Sequence, residues 1–308
     1  MANTLIPSTP RVPKHERHLL LVDSSPDLNG MLINLCDLHG WNISSAKDNQ
    51  EALTLAQAHL FDLIITGERT SSQQDIELLR RLRIVRPHIR LIILTDEFTT
   101  GDVLNSIRER AFSYFARPFS PDALAEIVRL AMTTPFWDDG LEILSTTANW
   151  VRLAVRCDLV TAERLVHFYR ETSDLPEVET EQVAMAFREI LLNAMEHGGK
   201  FDPSQHVEVS YVRTRRMVLC KVKDPGTGFS LEELKHAALT NPPEEPFRHV
   251  VEREVAGMRP GGFGILMAKG LVDDLLYNQQ GNEVLLIKYL TKAIDTPSNL
   301  EHGLAREA

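Results

Sequence analysis

The sequence predicts an α/β chain of two domains: a doubly wound sheet of five β/α units, then an α/β sandwich in which helices stack on a mixed sheet. Three observations carry this. The 308 residues, 43% hydrophobic and 25% charged, suffice for two cores. From His18 to Met132 short apolar runs alternate with amphipathic stretches, as in parallel strands joined by crossover helices. Beyond about residue 148 that rhythm stops, and helices and strands segregate.

In the first half the apolar runs are Leu19-Leu20-Leu21-Val22, Trp41 to Ala46, Leu63-Ile64-Ile65, Leu91-Ile92-Ile93-Leu94 and Ser113-Tyr114-Phe115. Helical patterns lie between them at Leu28 to Leu38, Gln50 to His59, Ile76 to Ile84, Gly101 to Arg110 and Pro121 to Met132. Residues 17–133 thus form one domain. Pro135 to Thr147, with the turn signal Trp137-Asp138-Asp139-Gly140, reads as a linker over 134–147. The second domain is expected over 148–292. It opens with a strand at Trp150 to Arg156 and helices at Val160 to Glu171 and Thr180 to His197. Strands follow at Val207 to Val212 and Val218 to Val222, then a Gly/Pro-rich region from Asp224 to Gly264. A helix at Ile265 to Leu271 and a strand at Glu283 to Tyr289 close it. Segments 1–16 and 293–308 read as flexible tails.

Bulk properties exclude several classes. A formal charge of -10 with no Lys/Arg cluster argues against direct nucleic-acid binding. Cys36, Cys157 and Cys220 are odd in number and far apart, so they read as buried thiols and not as a zinc site or disulfide framework. Met1 to Glu16 lacks the apolar core of a signal peptide, and no run approaches eighteen apolar residues. The expectation is a cytoplasmic protein with no membrane partner.

The chemistry concentrates in the second half. In the long helix Val183, Phe187, Ile190, Leu191 and Ala194 repeat at helical spacing as a core stripe. Glu189, Asn193 and His197 fall at i, i+4 and i+8 along another side. An Asn oxygen suits Mg²⁺, which takes few protein ligands and leaves room for phosphates. A carboxylate one turn earlier can accept a proton from an attacking hydroxyl or water. Read alone, the row fits a solvated polar face equally well. Asp224-Pro225-Gly226-Thr227-Gly228 follows an apolar strand; its glycines allow close backbone approach, and its carboxylate can accept from an exocyclic amine. Asp-Pro-Gly is also an ordinary turn. Arg259-Pro260-Gly261-Gly262-Phe263-Gly264 runs into a helix, which would aim free N–H groups at a phosphate. Alone it could equally be a loop and cap.

In order, the three elements resemble the N box and the two glycine boxes of Bergerat-fold ATPases, the superfamily of Hsp90, gyrase, MutL and histidine kinases. Within it the nearest likeness is to anti-sigma-factor serine kinases. The matching text is Glu189-Ile-Leu-Leu-Asn193-Ala-Met-Glu-His197-Gly198, Lys223-Asp224-Pro-Gly226-Thr-Gly228-Phe229, Arg259-Pro-Gly261-Gly262-Phe-Gly264-Ile265 and Gly281-Asn282-Glu283-Val284. The resemblance implies ATP and Mg²⁺ as cofactors, with Asn193 on the metal, Glu189 as base and His197 in the nucleotide site. It further implies that Asp224 binds the adenine amine, with Gly226 and Gly228 shaping that pocket. Gly261, Gly262 and Gly264 would lie along the phosphates, and Arg259 would reach the γ-phosphate. Leu231 to Met258 would be the lid. Where family members often carry Gly-Thr, this chain has Gly281-Asn282, which leaves the role of Asn282 at adenine open. A histidine kinase would need a phosphoacceptor His followed by an acidic residue, and His167-Phe168 does not supply one.

The first half is similar to response-regulator receiver domains, through Leu20-Leu-Val-Asp23-Ser24, Leu94-Thr95 and Ala116-Arg117-Pro118-Phe119. That family places a phosphoacceptor Asp after the third strand and a Lys before the Pro. Here Gly67 and Arg117 occupy those positions, so no nucleophile is present for an aspartyl phosphate, and Asp62 at the start of the strand is no substitute. The expected function is an ATP-dependent protein serine/threonine kinase in a partner-switching circuit with a non-phosphorylatable receiver. Its partners would be an anti-sigma-factor antagonist, a sigma factor or both, and a homodimer is compatible with the sequence. The alternative is a nucleotide-gated binding module without kinase activity.

Overall fold

The computed structural model describes residues 17–22, 25–67, 69–96, 99–134, 139–147, 149–173, 175–229, 244–245, 247–255 and 262–290. The chain divides into two compact units at Asp138/Asp139.

The first unit runs β1 (His18–Val22), α1 (Pro26–His39), β2 (Asn42–Ala46), α2 (Asn49–Ala58), β3 (Leu63–Thr66), α3 (Ser72–Val85), β4 (Arg90–Thr95), α4 (Thr100–Arg108), β5 (Ser113–Ala116) and α5 (Pro121–Thr133). All strand pairs are parallel, in the order β2-β1-β3-β4-β5. Leu19 to Val22, Leu63 to Ile65 and Leu91 to Leu94 are fully buried, because a parallel sheet covered on both faces demands continuous apolar strands. Every helix of this unit opens on a side chain that accepts from its first turn: Ser25, Asp48, Ser71, Thr99 and Ser120 cap α1 to α5, the three serines through longer contacts. This is the expected doubly wound fold, with its topological switch between β1 and β3. Gly67 directly follows β3, where the resemblance seeks an acidic acceptor. Arg117 pairs with Asp96 at 3.1 Å and lies over the Phe119 ring. Asp62 is occupied at the far end of β3, its carboxylate accepting from the His18 amide at 2.9 Å. Asp23 and Ser24 lie outside the described residues.

The second unit has β6 (Leu141–Thr147), β7 (Trp150–Arg156), α6 (Leu159–Thr172), α7 (Glu177–Asn193), β8 (His206–Arg213), β9 (Met217–Lys223), α8 (Arg248–Val255), α9 (Gly264–Leu271), β10 (Asp274–Tyr277) and β11 (Glu283–Tyr289). Its six strands form an antiparallel sheet in the order β10-β11-β9-β8-β7-β6. Val209, Val222 and Leu286 bury one sheet face, on which α7 packs its own buried Val183, Phe187, Ile190 and Leu191. An α/β sandwich results, as the sequence indicated.

Three expectations are corrected. The sheet of the second unit is antiparallel throughout and not mixed, because direct hairpins join β6 to β7, β8 to β9 and β10 to β11 and the remaining neighbours also run in opposite directions. The segment 134–147 is not all linker: Leu141–Thr147 is the edge strand β6, paired antiparallel with β7 across a bulge between Ile143 and Ser145. The sheet also gains β10, too short to stand out in the sequence. Asp139 anchors the entry to β6, its carboxylate 3.0 Å from the fully buried Arg164 guanidinium of α6. Cys36, Cys157 and Cys220 are free and buried.

Candidate functional site

The site is built on the C-terminal end of α7. Its last turn widens into a π-helical turn, Ala194–Gly198, a deformation that often accompanies function. The apolar stripe of α7 faces the sheet, so Glu189 and Asn193 are turned half-exposed into a cavity of about 730 Å³, with His197 at its more open side. That volume lies within the range of small-ligand pockets. The same cavity is lined by Asp224, Gly226 and Gly228 from the loop after β9, by Gly262 and Gly264 at the start of α9, and by Gly281 and Asn282 before β11. All the expected site residues within the described segments therefore meet in one place. Arg259, Gly261 and most of the expected lid, Leu231 to Met258, lie outside the described residues; Arg248–Val255 within that span forms α8.

One end of the cavity centres on Asp224. Its amide donates to the Asn282 carbonyl at 3.0 Å, and its Oδ1 accepts from the Gly226 amide at 2.8 Å. Burial raises its carboxyl above the usual value, opposed by the Gly226 hydrogen bond and by the positive field of His197 and Lys200. The helix end abuts it closely: a Cβ on Gly198 would stand 2.2 Å from Asp224 Oδ1. Behind this contact the buried Cys157 thiol is pushed up to about 11, by burial first and then by Asp158, Asp202 and Asp224.

The loop is held by a second close approach. Gly228 and Gly281 have φ of 82° and 76°, and Cβ atoms there would lie 1.9 Å from the Gln280 carbonyl oxygen and 1.8 Å from that of Phe229. Two strand-end loops thus cross backbone to backbone, which only glycine permits. Asn282 is 9% exposed; its amide donates to the Gly226 carbonyl at 3.3 Å and its Oδ1 accepts from Asn278 at 2.9 Å. Its side chain thereby braces the Asp224 loop.

At the other end, a Cβ on Gly264 would be 2.9 Å from Glu189 Oε2 and 3.4 Å from Asn193 Nδ2. The start of α9 therefore lies directly over the acid and the amide, with its N-terminal N–H groups beside them. Arg188 stands at 3.7 Å from Glu189 Oε1 and is itself held by Glu163, Nε to Oε1 3.0 Å. Glu189 and Gly198 are nine residues apart, so along the helix the two ends are separated by roughly 13 Å. Among the described residues no cluster of His, Cys, Asp and Glu could bind a metal unaided. Two lining residues escaped the sequence reading: Lys200, just beyond the π-turn with φ of 56°, and Tyr277 at the end of β10.

The first unit is thus a parallel five-stranded, doubly wound fold, and the second an antiparallel sheet whose acid–amide helix faces two glycine loops. The family comparisons agree: residues 19–129 match the response regulator receiver domain, and 153–288 the histidine kinase-like ATPase domain. The chain carries both.

Among curated relatives, the Escherichia coli transcriptional regulatory protein GlrR is 28% identical over 125 residues, 41% of this chain and 26% of that protein. The Oceanobacillus iheyensis serine-protein kinase RsbW is 27% identical over 113 residues, 36% of this chain and 66% of its own length. Sporulation initiation phosphotransferase F of Bacillus subtilis is 24% identical over 111 residues, covering 36% of this chain and 90% of that protein. The match spans about a quarter of the regulators such as GlrR. Among solved structures, a Thermotoga maritima response regulator is 25% identical, with a TM-score of 0.35, covering 39% of this chain and 99% of that one. No helix among the described residues is long and apolar enough to cross a membrane.

Proposed function

We propose that the chain is a cytoplasmic ATP-dependent protein serine/threonine kinase of a partner-switching circuit, acting on a hydroxyl of a small anti-sigma-factor antagonist. The observation that carries this reading is the convergence of three sequence-distant boxes on one cavity, with an amine acceptor at one end and an acid–amide pair under a helix N-terminus at the other. The residues fit a nucleotide and its cation: Gly264 leaves the space beside Glu189 and Asn193 that a side chain would fill. Asp224 would hold the adenine amine, Asn193 the Mg²⁺, and Gly262 and Gly264 the phosphates. The bound cation supplies neutralisation of phosphate charge.

Within that frame Glu189 accepts the proton of the attacking hydroxyl, and the α9 N–H groups favour developing negative charge. Arg188, held by Glu163, stands 3.7 Å from Glu189 Oε1, while Gly264 approaches Oε2. The serine-protein kinase relative supports the choice of a hydroxyl acceptor. In the first unit Gly67 offers no side chain for phosphorylation, so that domain serves as a contact surface for a partner.

The test is incubation of the full chain with Mg²⁺, labelled ATP and a co-encoded small antagonist protein, with the modified residue mapped. Transfer to a Ser or Thr, lost in Glu189→Ala, is expected. ATP-dependent binding of the antagonist without any transfer, unchanged in Glu189→Ala, would make the protein a nucleotide-gated binding module.

A further inference from the structure

Tyr277 lines the same cavity as Asp224 but belongs to none of the sequence boxes. It closes β10, opposite Val284 of β11, and its ring meets Phe229 edge-on, with centroids 5.5 Å apart and planes at 64°. The Phe229 backbone is closely packed: a Cβ on Gly281 would stand 1.8 Å from its carbonyl oxygen. Phe229 and Tyr277 both line the cavity that Asp224 lines, so the edge-on pair forms part of its wall. Burial, and then the charge of Asp224, push the Tyr277 hydroxyl above its ordinary range, which keeps it in the protonated form that can donate.

We infer that Tyr277 is a specificity-determining residue of the nucleotide site, donating its hydroxyl to N1 of adenine while Asp224 accepts from the neighbouring 6-amino group. This rests on the reading of the cavity as an ATP site. The donor–acceptor order is what selects the base. Adenine offers a hydrogen at the 6-amino group and a lone pair at N1, which match Asp224 and Tyr277. Guanine offers the reverse, a carbonyl oxygen at C6 and N1–H: its oxygen would face the Asp224 carboxylate, acceptor against acceptor, and the Tyr277 hydroxyl would have to turn from donor to acceptor. A buried polar pair of this kind discriminates mainly because the wrong base leaves its groups unpaired.

The experiment is calorimetric titration of the full chain, in Mg²⁺, with ATP, GTP and 1-deaza-ATP, whose base has C–H in place of N1. The wild type should bind ATP about tenfold more tightly than 1-deaza-ATP, and GTP more weakly still. Tyr277→Phe, which keeps the ring, should bind ATP about five- to tenfold more weakly and no longer distinguish it from 1-deaza-ATP. A wild type indifferent to the loss of N1, or a Tyr277→Phe protein that keeps the full preference, would overturn the inference and leave the ATP site standing. A wild type that binds no adenine nucleotide would overturn both. The wild-type comparison needs no variant, so it decides the matter even if Tyr277→Phe is unstable.

Discussion

Gly198→Ala is the sharpest perturbation of the proposed nucleotide site that removes none of its proposed ligand groups. A Cβ there would lie 2.2 Å from Asp224 Oδ1 and 2.4 Å from its Cβ and Cγ, whereas real Cβ atoms essentially never approach within 3.0 Å. Asp224 must therefore withdraw by roughly an ångström. It has little freedom to do so, because its amide is bonded to the Asn282 carbonyl at 3.0 Å and its Oδ1 to the Gly226 amide at 2.8 Å. Breaking one such contact and overpacking the turn costs about 1–3 kcal/mol, and the displaced carboxylate loses its register with the base. ATP affinity measured by calorimetry should fall about 10- to 100-fold. Gly270→Ala is the control: nothing lies within 4 Å of its Cβ position in α9, so binding should be unchanged and stability raised by about 0.5–1 kcal/mol. A folded Gly198→Ala protein that binds ATP like the wild type would refute the placement of the base at Asp224.

Glu189→Ala should leave ATP binding intact while transfer to the antagonist falls about 10²–10⁴-fold, read from single-turnover phosphorylation; equal losses in both would assign Glu189 to binding. Treatment with acetyl phosphate and Mg²⁺ should leave no phosphoryl adduct on residues 17–133, and mass spectrometry that locates one there would contradict the reading of Gly67. Burial raises the Asp75 carboxyl from 3.8 to about 6, against hydrogen bonds from Asn49, Thr70 and Thr66 that lower it. The fold thus favours the protonated form: its contribution is complete below 3.8 and is lost as pH rises through about 6, a change of about 3 kcal/mol. Hydrogen exchange over residues 63–85 should quicken across that window, and Asp75→Asn should flatten the trend; an identical slope in the variant would exclude Asp75 as its source.

Much of the fold was legible because buried strands are continuous apolar runs. Leu19 to Val22 and Leu91 to Leu94 are wholly buried, and four apolar residues in a row match a short strand covered on both faces. The edge strand β6 was hidden for the opposite reason. Leu141–Thr147 is half solvent-facing, rich in Ser and Thr, broken by a bulge and preceded by a turn signal, so it looks like a linker until its pairing with β7 is seen. β10 has four residues and no room for a periodic pattern. The acid and amide of the site were legible because i, i+4 spacing on a helix fixes a shared face whatever the tertiary structure. Tyr277 and Lys200 were not, because only closure of β10 on β11 and the turn after the π-helix bring them to Asp224. The bracing role of Asn282 likewise depends on Gly226 and Asn278, which the crossing loops bring to it.

The proposed function stands on ATP binding in the cavity between the end of α7, the Asp224 loop and the start of α9. It is tested most directly by titrating the full chain with ATP in Mg²⁺, beside Asp224→Asn, which replaces the acceptor for the adenine amine with a competing donor. Saturable binding of one nucleotide per chain is expected of the wild type, weakened about tenfold or more in a folded Asp224→Asn protein. Absence of saturable binding by the wild type, or equal affinity in the variant, would contradict it.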